Sequence, residues 1–132
     1  MAERFIAAFS AADFAAMRAA LAEDLAAWVT DAEGESEEVR GRDSYLARIE
    51  AMDLPSARFS VELTQPAVEI DPDLVLLMVE VRAERSGRSL HNFAAHLLRV
   101  ADGRIAEWRM VDAKPAESDA FWSQPSGARG KR

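Results

Sequence analysis

The sequence predicts an α+β domain in which a curved antiparallel sheet wraps a pocket beside N-terminal helices. Three observations predict it. Apolar residues recur at helical spacing only up to Leu54, period-two alternation begins at Phe59, and turn signals at Asp71-Pro72-Asp73, Ser86-Gly87-Arg88 and Asp102-Gly103 cut the second half into strands.

Taken in order, Phe5, Ile6 and Phe9 form the apolar side of a first helix. Ser10 to Asp13 interrupts it, with Asp13 as N-cap of a second helix that buries Phe14, Met17 and Leu21, so the opening reads as two helices or one bent helix. Leu25 to Asp31, containing Trp28, Val29 and Thr30, reads as a first strand. The acidic, glycine-bearing run Glu33 to Glu38 then turns into a short edge strand ending near Val39. Gly41-Arg42-Asp43 precedes a third helix, capped by Asp43 or Ser44, with Tyr45, Leu46 and Ile49 as its stripe. Leu54-Pro55 ends it, because the residue before proline is biased away from helical geometry. Four long strands then follow as a meander: Phe59 onward, Leu74 to Ala83, Leu90 to Val100, and Arg104 to Val111 as the closing strand. A short element carries Phe121 and Trp122. One domain over residues 1–122 and a flexible Gly/Ser/Pro-rich tail over 123–132 account for all 132 residues.

Composition narrows the function. The absence of cysteine excludes thiol chemistry, disulfides and Cys-based metal or iron–sulfur centres. A net charge of −7 argues against a nucleic-acid partner, since an acidic domain repels phosphate backbones. No apolar stretch approaches the roughly 20 residues that cross a bilayer, so no membrane partner is expected. The N-terminus reads as helix rather than signal peptide, and the expected setting is the cytoplasm. His91 and His96 lie on opposite faces of one strand and cannot share a metal, so neither metal nor cofactor is expected. Gly-rich phosphate loops and nucleophile elbows are also missing.

Strand parity sorts the faces. On the last strand Glu107 and Arg109 face out, which turns Ala106, Trp108, Met110 and Asp112 inward. The inward sets elsewhere are Asn92, Ala94, His96, Leu98 and Val100; Phe59, Val61, Leu63 and Gln65; and Val75, Leu77, Val79 and Val81. Phe93 and Leu97 lie outside with Leu76 and Met78, an apolar patch that points to a homodimer through the outer sheet face. A β-bulge that swaps parity is the alternative.

Asp112 and His96 are the candidate catalytic residues. An acid on an apolar face suits general acid or base work, and a cross-strand His–carboxylate pair can shuttle a proton. The plainer readings are a strand-end cap for Asp112 and a satisfied core histidine. Trp28, Tyr45, Phe59, Gln65, Asn92, Trp108 and Met110 are the candidate ligand-binding residues, as large apolar surfaces with a few polar tips. Core packing explains the two tryptophans equally well.

The Phe5-to-Leu25 helices, the Gly41-Arg42-Asp43-Ser44-Tyr45 helix start, and the hairpin His96 to Ile105 followed by Trp108 and Asp112 together resemble the nuclear transport factor 2-like superfamily, and within it the SnoaL-type domains. The resemblance implies a cone-shaped barrel, commonly dimeric, with a pocket between helices and concave sheet. Members include polyketide cyclases, ketosteroid isomerases, epoxide hydrolases and dehydratases, and catalytic ones often carry an acid on the last strand, here Asp112. The isomerase-type set of a base with two further donors is not evident, since Tyr45 is the sole tyrosine, and the Asp–Arg–Asp set of epoxide hydrolases is missing because Arg82 and Arg109 face outward. Two functions follow. One is a cofactor-free isomerase, cyclase or dehydratase acting on a small hydrophobic carbonyl compound, with Asp112 as base and His96 or Asn92 holding the enolate oxygen. The other is a non-catalytic domain for small-ligand binding or dimerisation. A fold common to both does not choose between them.

Overall fold

The computed structural model describes residues 2–123, so most of the expected tail, from residue 124, lies outside the described residues. Alanine-rich α1 (Ala2–Ser10) buries Phe5 and Ile6. Ala12 turns the chain with a left-handed φ of 56°, and Asp13 caps α2 (Phe14–Ala20) by accepting a hydrogen bond from the Ala16 N–H at 3.1 Å. Leu21 is not on that helix. It opens β1 (Leu21–Thr30), which is longer than the sequence indicated. The register of β1 shifts between Leu21 and Ala26, and Glu23 and Asp24 are exposed there, which hides its alternation.

After β2 (Ser36–Arg40) comes α3 (Arg42–Glu50), which buries Tyr45, Leu46 and Ile49 as the stripe requires. Its cap differs from expectation. Gly41 occupies the N-cap at φ 91° and ψ 142°, with no side-chain cap from Asp43 or Ser44. Only glycine enters that region without strain, although a Cβ there would meet no atom within 4 Å. Gly41→Ala should therefore lower stability by about 1–3 kcal/mol, read as an earlier urea midpoint. Leu54-Pro55 does not end α3; it starts a short 3₁₀ turn, Leu54–Ala57, with proline in its first turn.

The sheet then continues through β3 (Ser60–Leu63), β4 (Val68–Asp71), β5 (Leu74–Arg85), β6 (Arg88–Ala101) and β7 (Arg104–Asp112). Asp102-Gly103 forms the β6–β7 hairpin with both φ values positive, the two-residue turn whose twist suits antiparallel strands. Sheet order is β2-β1-β7-β6-β5-β3, with β4 also on β5. Two features depart from the expected meander. β4 is an added strand, wholly exposed and so without an alternating pattern to reveal it. And β7 does not close the sheet, because β1 pairs with it in parallel, placing β7 inside an open sheet.

The parity reading holds over most of β5, β6 and β7, where Leu77, Val79, Asn92, His96, Leu98 and Trp108 are buried. It fails beside the β6–β7 hairpin, where the register shifts between Arg99 and Val100 and Ile105, not Ala106, is fully buried. Phe5, Met17, Leu21, Leu25 and Trp108 are sealed between helices and concave face. A smaller cluster of Ala57, Ala83, Leu90 and Phe121 seats α4 (Pro115–Trp122). Among the described residues no helix is long and apolar enough to cross a membrane.

Candidate functional site

The concave face is not completely filled. A cavity of about 350 Å³ lies between it, α1 and α3, and α4 contributes Pro115, Ser118, Asp119 and Trp122 to its wall. Its walls are mainly apolar, and five polar residues of the sheet line it: Thr30 and Glu37 on β1 and β2, and Asn92, His96 and Asp112 on β6 and β7.

Asp112 ends β7, where the strand has just left its apolar run. Its Oδ1 accepts hydrogen bonds from Asn92 Nδ2 at 2.6 Å and the Lys114 N–H at 2.7 Å. Its own N–H donates to Thr30 Oγ1 at 3.1 Å, and that hydroxyl donates to the Met110 carbonyl, so the parallel β1–β7 seam fixes the backbone. Asn92 is 3% exposed and also donates from Nδ2 to Ser118 Oγ at 2.8 Å. This ties α4 to the acid. Among the described residues no donor engages Asp112 Oδ2, which leaves one carboxylate oxygen for a molecule in the cavity.

His96 does not hydrogen-bond Asp112 as the cross-strand pairing suggested. Register sets it opposite Met110, while Asp112 lies opposite Ala94. Its Nδ1 instead accepts from Trp108 Nε1 at 2.9 Å, with the two rings edge to face at 5.0 Å. Burial pushes the imidazole down to about pKa 4, partly opposed by the Asp112 carboxylate. The ring is therefore neutral at pH 7. With Nδ1 accepting, the proton sits on Nε2, a donor with no partner among the described residues.

This arrangement predicts a pH dependence of stability. A histidine near 6.5 when unfolded and about 4 when folded binds its proton preferentially in the unfolded chain. Its contribution is complete above pH 6.5 and is lost as the pH falls toward 4. The loss amounts to about 3 kcal/mol, and urea unfolding across that window should show it, with His96→Gln flattening the profile.

Seven of the nine expected site residues line the cavity: Tyr45, Phe59, Asn92, His96, Trp108, Met110 and Asp112. Burial holds the Tyr45 hydroxyl protonated by raising its pKa, against the opposing Arg48 charge. Two do not reach it. Trp28 lies on the outer face beneath Arg109, whose guanidinium sits 3.8 Å from a ring centroid, because Leu25, Ala27 and Val29 take the inward parity of β1. Gln65 is exposed beyond the end of β3. Thr30, Arg48, Ser118 and Asp119 were missed. The parallel β1–β7 pairing that uses Thr30 leaves no local sequence signal, and the residues of α4 carry only a weak helical pattern. Among the described residues no cluster of three or more His, Asp or Glu side chains forms a metal site.

A helix-backed open sheet with an apolar, polar-tipped cavity defines a class of small pocket domains. A sequence profile of the SnoaL-like domain matches residues 2–108, and the chain belongs to that family. Its fold is similar to a Xanthomonas campestris protein of unknown function with a cystatin-like fold (24% identity, TM-score 0.77, covering 92% of this chain and 94% of the other). It is also similar to Bal32a from a soil-derived mobile gene cassette (20%, 0.77, 90% and 91%). A third likeness is to an LEH-like epoxide hydrolase of M. tuberculosis (21%, 0.71, 92% and 86%). No protein of curated function matches the chain. At these identities the structural likenesses show a shared nuclear transport factor 2-like, cystatin-like fold.

Proposed function

We propose that the protein is a cofactor-free enzyme that moves a proton α to the carbonyl of a small apolar substrate. The observation that carries this reading is the juxtaposition in one cavity of Asp112, held through one oxygen, and a neutral His96 with its Nε2–H free. Asp112 Oδ2 takes the proton from the α-carbon. The C–H electron pair becomes the enolate π bond, and the carbonyl oxygen gathers the negative charge under the His96 N–H. The acid then returns the proton, to the same carbon or a vinylogous one. A neutral imidazole is the right donor, because it stabilises the oxyanion without competing as an acid. Asn92, the other expected donor, is occupied by Asp112 and Ser118 and holds the base instead.

The test is α-deuterium incorporation in D₂O by a panel of small apolar ketones, followed by NMR. Exchange above the buffer rate that disappears in Asp112→Asn supports the proposal. A ketone that binds but returns without deuterium supports the binding-domain reading instead. A cytoplasmic setting, with which the cysteine-free composition is compatible, belongs to the same proposal.

A homodimer through the outer sheet face is the second part of this reading. Met78, Ala95 and Val111 are register partners across β5, β6 and β7, and Phe93 lies on the same side. Met78, Phe93 and Val111 are exposed. Glu80, with His91 and Arg82 on it, rims one end of the patch, and Arg109 rims the other. A two-fold axis lying across the strands would bring the Glu80 rim of each copy to the Arg109 rim of its partner. Phe93→Glu and Met78→Glu should each give monomers by sedimentation; unchanged dimers would remove this interface.

A further inference from the structure

The charges around the cavity are strongly unbalanced. Five charged residues line it: Asp31, Glu37, Asp112 and Asp119 against Arg48 alone. Arg48 is already spent, because its Nη1 and Nη2 grip the Glu37 carboxylate at 2.9 and 3.4 Å across the gap between α3 and β2. Asp31 accepts the Glu33 and Glu35 N–H groups in its own turn, and Asp112 is held by Asn92 and Lys114, but neither meets a cation in these bonds. Asp119, on the cavity side of α4, has no ion pair or side-chain hydrogen bond among the described residues. Three negative charges are thus left without a neutralising partner around a small space with low-dielectric walls, which focus their field into it.

The lining between these acids is aromatic. Phe59, Trp108 and Tyr45 border the cavity, and aromatic ring faces attract cations; Trp122 borders it too, but its ring already meets the Arg85 guanidinium at 5.6 Å. A second, independent feature points to a ligand: His96, 6% exposed, has Nδ1 taken by Trp108 and leaves Nε2–H unmatched among the described residues. A ligand that satisfies the site therefore needs an acceptor oxygen for His96, an apolar body, and positive charge near the acids.

We propose that the cavity takes apolar molecules bearing a protonated amine and rejects carboxylates, with Asp119 the principal selecting charge and the Arg48–Glu37 pair limiting its strength. This rests on the cavity being a ligand site, as the proposed function holds, but not on Asp112 acting as a base. It narrows the candidate substrates to amino-substituted apolar carbonyl compounds.

The experiment uses three probes of one shape: cyclohexylmethylamine, cyclohexylmethanol and cyclohexanecarboxylate, titrated into the full chain at pH 7 and followed by NMR shifts of the Trp108 and Trp122 indole N–H signals. The amine should bind about tenfold more tightly than the carboxylate at low salt, with the alcohol between them, as expected for one or two partly screened charge pairs. The preference should shrink in about 0.5 M salt. Asp119→Asn should cut it several-fold, and Arg48→Gln, which frees Glu37, should enlarge it. Carboxylate binding equal to or tighter than amine binding overturns the proposal, as does a preference that Asp119→Asn leaves intact. If none of the probes binds, both this proposal and the ligand-site reading fail. Amine selectivity in a protein that exchanges no ketone deuterium sustains this proposal and overturns the catalytic one.

Discussion

Asp112→Asn is expected to lower the proton-transfer rate by about 10²- to 10⁴-fold, the usual share of a positioned general base, while leaving the fold and ligand affinity nearly unchanged. The substitution is close to isosteric. The amide oxygen can take the place of Oδ1, where it still accepts from Asn92 Nδ2 and the Lys114 N–H. The amide nitrogen then occupies the place of Oδ2, where it can donate a hydrogen bond but cannot accept a proton. The backbone of residue 112 is held separately by Thr30, so the strand end has no reason to move. Kinetics with an exchanging ketone should show the loss in kcat rather than KM. Asn92→Ala provides the contrast. It removes the orienting bonds to Asp112 and Ser118 but keeps the base, so a smaller rate loss with a changed pH profile should follow. Full activity in Asp112→Asn would show that another group is the base.

Most of the sheet is legible because inward positions alternate over Leu77 to Ala83, Leu90 to Leu98 and Trp108 to Asp112, and because Asp102-Gly103 marks a hairpin that glycine and its neighbour alone make easy. The bulge beside Val100 that turns Ile105 inward breaks the pattern. That same parity put Asn92, His96, Trp108 and Asp112 on one wall before any contact was known. What it could not supply was pairing between strands remote in sequence. β1 lies beside β7 in parallel across more than eighty residues of chain, and nothing local announces that contact. Thr30 therefore reads as an ordinary strand residue, and nothing local shows that Trp28 faces away from the cavity. The His96–Asp112 pair failed for a related reason: sharing a face does not set register, and the two sit at different levels of the β6–β7 ladder. Gly41 was visible in the sequence, but its φ of 91° was not, so the expected cap moved to the polar residues beside it.

Trp108 should be the most costly single side chain to remove. It is fully buried, its ring lies 4.6 Å from Phe5 and 6.0 Å from Tyr45, and it joins α1, α3 and the sheet. Trp108→Ala deletes that volume from the centre of the core and should cost about 3–5 kcal/mol. Trp108→Phe separates packing from polarity. Phenylalanine keeps most of the apolar contact but cannot donate to His96 Nδ1, so a buried acceptor loses its partner, at about 1–3 kcal/mol. The site should register this more sharply than the stability does. With Nδ1 no longer held as an acceptor, the imidazole can carry its proton on either nitrogen, and the Nε2–H form that serves the oxyanion becomes only part of the population. Nitrogen-15 shifts of the His96 ring should report a single Nε2–H tautomer in the wild-type protein and a mixture in Trp108→Phe. A reduced kcat should accompany the mixture. A variant that unfolds more easily yet retains the single tautomer would show that Trp108 supports the site through packing alone.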